Sequence, residues 1–218
     1  MKNIPRVFIG DDVSSGDVVA ISHDVSHYLT RVMRTRQCLV FGGGVEYHAC
    51  LSDDSKTLIV GNATEHVDPS GDVVLMFSPI KRTDDLLNMA TQMGVRAFLP
   101  VVMERTVAHH VNWSRMEKII VESAEQSNRN SVPKILPMKK FSELDLSKIV
   151  FADERAAYGK QTCEIPNIVP AILIGPEGGF SDSEFAALDS AGACGVSLGK
   201  TILRAELASV VALARIMK

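Results

Sequence analysis

Cysteine is scarce in this sequence, and what there is does not cluster. Cys38, Cys50, Cys163 and Cys194 stand well apart, with no CxxC pair and no histidine cluster at zinc spacing. Neither a structural zinc site nor a disulfide framework is expected, and the thiols read as reduced and structural. Long apolar runs are missing too. Runs such as those at 72–77 and 170–175 fall far short of the roughly 18 residues a membrane span requires. The start, MKNIPR, lacks an apolar signal core, so a cytoplasmic protein without a membrane partner is expected. Nor is positive charge in excess: 23 Lys and Arg stand against 26 Asp and Glu, a net charge of −3. Phosphate binding by bulk electrostatics leaves a basic footprint. Only residues 72–148 have one, with 11 basic against 9 acidic side chains, so contact with nucleic acid would be local. There is no GxGxxG and no GK[ST], which excludes the dinucleotide fingerprint and the P-loop.

What is present is a change of pattern partway along the chain. Up to about residue 68, short apolar stretches at 6–9, 38–41, 46–51 and 57–60 are separated by Gly, Asp and Ser clusters, including the glycines at 42–44. This reads as a small β-barrel with tight turns. One helical segment, 22–33, interrupts it, with Val25, Leu29, Val32 and Met33 at helical spacing. A Pro and a Gly punctuate 67–72, and the boundary is placed there, giving domains 1–68 and 72–218. Beyond it strands (73–77, 95–102, 149–152, 171–174, 195–198) alternate with helices (84–93, 112–127, 182–190, 203–217), with a short extended piece at 132–137. Such alternation predicts an α/β fold with a mostly parallel sheet, whose ligands bind beyond the carboxyl ends of the strands.

Two segments carry the chemistry. In ILIGPEGGFSDSE (172–184) a buried strand runs into a loop with Gly175, Gly178 and Gly179, where backbone groups can approach a ligand without a Cβ in the way. Ser181 and Glu184 form a capping box for the next helix. In VSLGKTILRAELA (196–208) a second strand ends near Gly199, and a short apolar loop delivers Arg204 and Glu206 to the start of an apolar helix. A helix-surface ion pair is the bland account of those two. Their place at a second strand-end loop favours a site in which both loops hold an adenine and ribose through main-chain groups. His109 and His110 do not make a metal pair, because neighbours on a strand point to opposite faces and no carboxylate spacing supports them.

These two motifs resemble the signatures of the RsmE family of SPOUT methyltransferases. ERTV (104–107), IIVESAEQSNRNSVPKI (119–135) and HYLTRVMR (27–34) are similar to further family stretches, so the likeness covers essentially the whole chain. The resemblance implies a SPOUT domain with a C-terminal deep trefoil knot, preceded by a PUA-like RNA-binding barrel. It implies S-adenosylmethionine-dependent methylation of N3 of a uridine in 16S rRNA of the small ribosomal subunit, by a homodimer without metal. Cofactor loops would lie at 151–154, 173–179 and 197–203. The cofactor residues would be Leu173, Ile174, Gly175, Pro176, Glu177, Gly178, Gly179, Ser197, Leu198, Gly199, Ile202, Leu203 and Arg204.

Removing the N3 imide proton and aiming that nitrogen at a methyl group assigns Arg204 to a developing carbonyl charge. Glu206 either accepts the proton or fixes Arg204, and Arg129 orients the base or its phosphate. Arg31, Arg34, Lys81, Arg82, Arg105 and Arg115 would bind RNA, with Lys134, Lys139 and Lys140 also along its path. The family's ILRTETA stands here as ILRAELA, so Ala205 and Leu207 replace two threonines; Met89 and Gln92 replace a lysine and an acid. Alternatives are a relative acting on ribose 2′-OH or on tRNA, and an inactive RNA-binding assembly factor.

Overall fold

A computed structural model describes residues 4–68, 71–108 and 110–217. The chain forms two compact units, Met1–Pro69 with Val121–Val132, and Ser70–Ile120 with Pro133–Lys218.

In the first unit, strands β1 (Arg6–Phe8), β2 (Val18–Ala20), β3 (Gln37–Gly42), β4 (Val45–Leu51) and β5 (Thr57–Ala63) form a sheet of order β1-β3-β4-β5-β2. Among the described residues of this unit, only β1 and β3 pair in parallel. The glycines expected to turn the chain do so: Gly43 and Gly44, both at positive φ, join β3 to β4. One face buries Val7, Leu29, Cys38, Val40, Leu51 and Leu58.

The helix expected over 22–33 is shorter and less regular. α1 (His23–His27) starts on Ser22, whose hydroxyl accepts from the Val25 N–H, and continues as a π-helical turn over Tyr28–Val32. The Thr30 hydroxyl donates to the Ser26 carbonyl at 2.8 Å, and the Met33 N–H reaches back to Tyr28 O at 2.9 Å. A side-chain donor competing for a helix carbonyl in this way loosens the α-helical ladder.

Residues 121–132 join this unit through Arg6, which is only 8% exposed. Its Nε donates to Glu46 Oε2 at 2.7 Å, Nη1 to the carbonyls of Ala124 and Glu125, and Nη2 to Arg129 O and Asn130 Oδ1. The guanidinium also lies 4.5 Å from the Phe41 ring centre. A buried cation is tolerated when it is paired and every donor finds an acceptor.

The second unit follows the alternation read from the sequence. Its elements are β6 (Val74–Phe77), α2 (Thr83–Gln92), β7 (Ala97–Val102), α3 (Trp113–Gln126, whose residues 121–126 belong to the first unit), β8 (Lys134–Ile135), β9 (Lys139–Lys140), β10 (Val150–Ala152), β11 (Ala171–Ile174), α4 (Asp182–Ser190), β12 (Cys194–Val196) and α5 (Ala205–Ile216). Every strand pairing is parallel, in the order β12-β10-β11-β6-β7-β8, with β9 also on β7. Parallel strands are covered on both faces, and those here are accordingly apolar: Leu75, Phe98, Val101, Ile172 and Leu173 are fully buried. The capping box is formed, with Ser181 Oγ accepting from Glu184 N and Glu184 Oε2 from Ser181 N. α5 packs against α2 and β11, burying Ala208, Ala212 and Leu213. No helix among the described residues is long and apolar enough to cross a membrane.

Candidate active site

The sheet order explains how loops distant in sequence meet. β12, β10 and β11 are neighbours and all point the same way, so their carboxyl ends release three loops side by side, at 153–158, 175–180 and 197–204. Between these loops lies a cavity of about 710 Å³, within the size range of small-molecule sites. Ile174, Gly175, Pro176, Glu177, Gly178 and Gly179 line it from one loop, and Leu198, Gly199, Ile202, Leu203 and Arg204 from another. Two expected cofactor residues are not in its wall. Leu173 is fully buried in the sheet core, and the Ser197 hydroxyl bonds within its own loop, to the main chain of Gly199.

The wall joins apolar surface to charge. Glu206 opens α5, is 9% exposed and faces the cavity, while Arg204 is exposed at the helix N-cap. Neither side chain has a hydrogen-bond or ion-pair partner among the described residues, so Glu206 does not fix Arg204 by a direct bond here.

Behind the 153–158 loop is a denser charge cluster. Arg155 donates to both carboxylate oxygens of Asp153 and both of Asp189, and its guanidinium stacks 3.7 Å over the Phe185 ring. Lys160 reaches Asp189 at 2.9 Å. Hydrogen bonds from Arg155 and Lys160 pull the Asp189 carboxyl down to about 2. Burial pushes Asp153 upward, but the bonds and charge of Arg155 outweigh it and hold the carboxyl below its ordinary value. Glu154 goes the other way: burial raises it, even though its Oε1 accepts the Phe180 N–H at 3.0 Å.

Of the side chains expected on RNA, Lys81, Arg82 and Arg105 line the same cavity. Arg105 Nη1 is committed to the carbonyls of Gly178 and Phe180, at 2.9 and 3.0 Å. Arg115 is exposed and lies 3.4 Å from Asp84. Arg31 and Arg34 are exposed in the first unit, Arg34 at φ +51. Arg129 also belongs to the first unit, is 2% exposed, and donates to Ser131 Oγ.

Sequence reasoning missed Arg155, Ala157, Tyr158 and Phe185 as wall residues. The signal was there: Asp153 caps a 3₁₀ turn over Glu154–Tyr158 that ends on Gly159 in the left-handed region, and the run DERAAYG spells such a turn after a strand. His109 lies outside the described residues. Among those described, no group of His, Cys, Asp and Glu is placed to hold a metal. The four cysteines are free, and Cys163, bridged to Val196 on the outer edge of β12, is a neighbour of Cys194.

Fold and cavity together define an α/β protein with a cavity of small-molecule size on the loops of a parallel sheet. Comparison with known proteins narrows the class. The model of the RNA methyltransferase domain family matches residues 67–217. The Ribosomal RNA small subunit methyltransferase E of Buchnera aphidicola (subsp. Acyrthosiphon pisum) is 30% identical over 97% of this chain and 92% of its own length; that of Synechocystis is 31% identical over 87% and 69%. Among solved structures, a Ribosomal RNA small subunit methyltransferase E from Neisseria gonorrhoeae bound to S-adenosyl methionine superposes with a TM-score of 0.81 at 26% identity, over 97% of this chain and 96% of that one. The chain belongs to the RNA methyltransferase domain family, in its ribosomal RNA small subunit methyltransferase E branch.

Proposed function

We propose that this chain methylates N3 of a uridine in 16S rRNA of the small ribosomal subunit, with S-adenosylmethionine as donor. The observation that carries the reading is the meeting of the 175–179 and 197–204 loops around one cavity, with the unpartnered Arg204 and Glu206 at its wall. The residues present fit the cofactor. Leu198, Ile202, Leu203 and Ala208 offer apolar surface for an adenine, and the glycine main chain at 175–179 offers donors and acceptors for its polar edge and the ribose.

The donor supplies an electrophilic methyl group on a positively charged sulfur. Glu206 would take the imide proton from N3, leaving that nitrogen an electron pair with which to accept the methyl group the bound donor would supply. Arg204 donates to a uracil carbonyl oxygen and stabilises the negative charge that deprotonation leaves there. Holding N3 in line with the methyl group supplies most of the acceleration. Because N3 is on the pairing edge, the uridine enters unpaired or flipped out. For Arg129, burial and the bond to Ser131 support a positioning part through the 127–131 turn in place of contact with the base.

RNA approaches over Lys81 and Arg82 at the cavity rim and over Arg115, with Arg31 and Arg34 contributing from the first unit, read as a PUA-like barrel. The second unit is read as a SPOUT domain whose last loops thread a trefoil knot. A strand order that sets β10 between β12 and β11 supports this threading. Exposed apolar side chains in the second unit, Tyr158 at 79% and Ile168 at 83%, support a homodimer, and action on ribosomal RNA supports a cytoplasmic location.

The test is methyl transfer from labelled S-adenosylmethionine to small-subunit RNA, with the product nucleoside identified by mass spectrometry. 3-Methyluridine is the expected product. A 2′-O-methyl nucleoside or label in tRNA assigns a different SPOUT activity, and RNA binding without transfer assigns an inactive assembly factor.

A further inference from the structure

The glycine loop is held from two sides by side chains of opposite charge, neither of which its own sequence contains. On one side Arg105, from the turn after β7, donates from Nη1 to the carbonyls of Gly178 and Phe180. On the other, Glu154 accepts the Phe180 N–H. Phe180 is therefore fixed at both its main-chain donor and its main-chain acceptor, while its ring is buried against Phe151.

One of these two side chains also accounts for a glycine of the loop. A Cβ on Gly178 would make ordinary contact with Arg105, 3.4 Å from its Cβ and Cδ, whereas a Cβ on Gly179 would overlap Glu154 Oε1. Gly179 also sits at φ +70, where a side chain is strained. A third tie, from the Lys81 N–H to Glu177 Oε1 at 2.9 Å, holds the far end of the loop. A loop of glycines loses much conformational entropy on ordering. Fixing it before the ligand arrives removes that cost from the binding step.

We infer that Arg105 and Glu154 are positioning residues that preorganise the 175–180 loop for S-adenosylmethionine, and that Arg105 serves the cofactor loop and not the RNA. The inference rests on the proposed cofactor site and deepens it. Arg105 exhausts one guanidinium nitrogen on two carbonyls of the loop, which is the bonding of a brace. Glu154 is half-buried under the loop, where a carboxylate without the Phe180 N–H would be costly.

The test measures the Kd for S-adenosylhomocysteine by calorimetry, together with kcat and the KM for rRNA, in R105A, R105K, E154A and E154Q. R105A and E154A are expected to weaken cofactor binding about tenfold or more, with kcat at saturating cofactor and the rRNA KM within about twofold of wild type. E154Q, whose amide oxygen still accepts the Phe180 N–H, is expected to recover most of the affinity, and R105K part of it. Because both residues act on Phe180, the double variant R105A/E154A should lose less than the product of the two single losses.

A rise in the rRNA KM for R105A with unchanged cofactor Kd overturns the inference and returns Arg105 to the RNA path; so does failure of E154Q to outperform E154A. Ala157→Trp, which adds bulk to the cavity wall and leaves the Arg105 and Glu154 side chains in place, separates the two levels. If it abolishes cofactor binding while R105A and E154A do not, only the bracing fails. If cofactor binding survives in all of them, the cavity is not the cofactor site.

Discussion

Arg6 in the first unit and Arg204 in the second spend the same guanidinium in opposite ways. Arg6 is buried, and Glu46, Asn130 and the carbonyls of residues 124, 125 and 129 take up its donors. Arg204 stands at the mouth of a cavity with no partner among the described residues, two positions from an unpartnered Glu206. A fully satisfied charge has nothing left to offer a ligand, so its contribution lies in stability and in fixing one arrangement of the chain. An unsatisfied charge at a cavity wall contributes little to the fold and keeps its hydrogen-bonding capacity for what enters. Arg155 lies between these cases: it lines the cavity, yet Asp153 and Asp189 occupy its donors. Its part is therefore to shape the 153–158 loop.

The contrast breaks most sharply on stability. Arg6→Ala strands the Glu46 carboxylate in the interior, and removing one partner of a buried pair costs about 3–5 kcal/mol. Chemical denaturation is expected to show that loss, while the double replacement of Arg6 by Met and Glu46 by Leu should recover much of it. An Arg6→Ala protein as stable as wild type would mean that the network is not satisfied as described. The same substitution at Arg204 should do the reverse. Arg204→Ala is expected to change stability by no more than about 0.5 kcal/mol while lowering kcat about 100-fold, with cofactor affinity nearly unchanged. Glu206→Gln should likewise cut turnover more than binding. Wild-type turnover in both variants would remove them from the chemistry.

A smaller effect is expected at Gly179. Alanine there meets both the positive φ and the Glu154 oxygen, which together should cost about 1–3 kcal/mol, seen as a lower melting temperature and a weaker hold on S-adenosylhomocysteine. If Gly179→Ala binds and melts like wild type, the loop is looser than its contacts with Glu154 imply.

How far the sequence carries these distinctions depends on how local the cause is. α4 was legible to the residue because its capping box lies within four positions, Ser181 to Glu184. The core strands were legible because parallel burial writes apolar runs. β2 was not: it is three residues long with Val18 exposed, and only its pairing with β5 makes it a strand. β9 was not either, since two lysines carry no strand signal until β7 pairs with them. In the site, the glycine loops declared themselves by composition. The part played by Arg105 did not, because its acceptors lie 73 and 75 residues away and a lone arginine looks the same on RNA as on a carbonyl. For Arg129 the sequence suggested a part in orienting the base or its phosphate, and only the fold shows the side chain buried.

The finest test concerns the acid that braces the loop. Burial raises the Glu154 carboxyl above its ordinary range, the charge of Asp153 adds to this, and Arg155 and the Phe180 N–H oppose it. The folded state therefore holds this proton more tightly than the unfolded chain does. Below the ordinary glutamate range both states are protonated and Glu154 carries no ionisation penalty; as pH rises through its elevated folded value, the stability it contributed at low pH is lost. Glu154→Gln keeps the acceptor for Phe180 and removes the ionisation. Its melting temperature should match wild type at low pH and pull slightly ahead as pH rises from the ordinary glutamate range toward neutrality, levelling once wild-type Glu154 is fully ionised. A difference that stays constant with pH, or that favours wild type at neutrality, would mean that the carboxylate is stabilised under the loop and that its charge, more than its accepting oxygen, holds Phe180 in place.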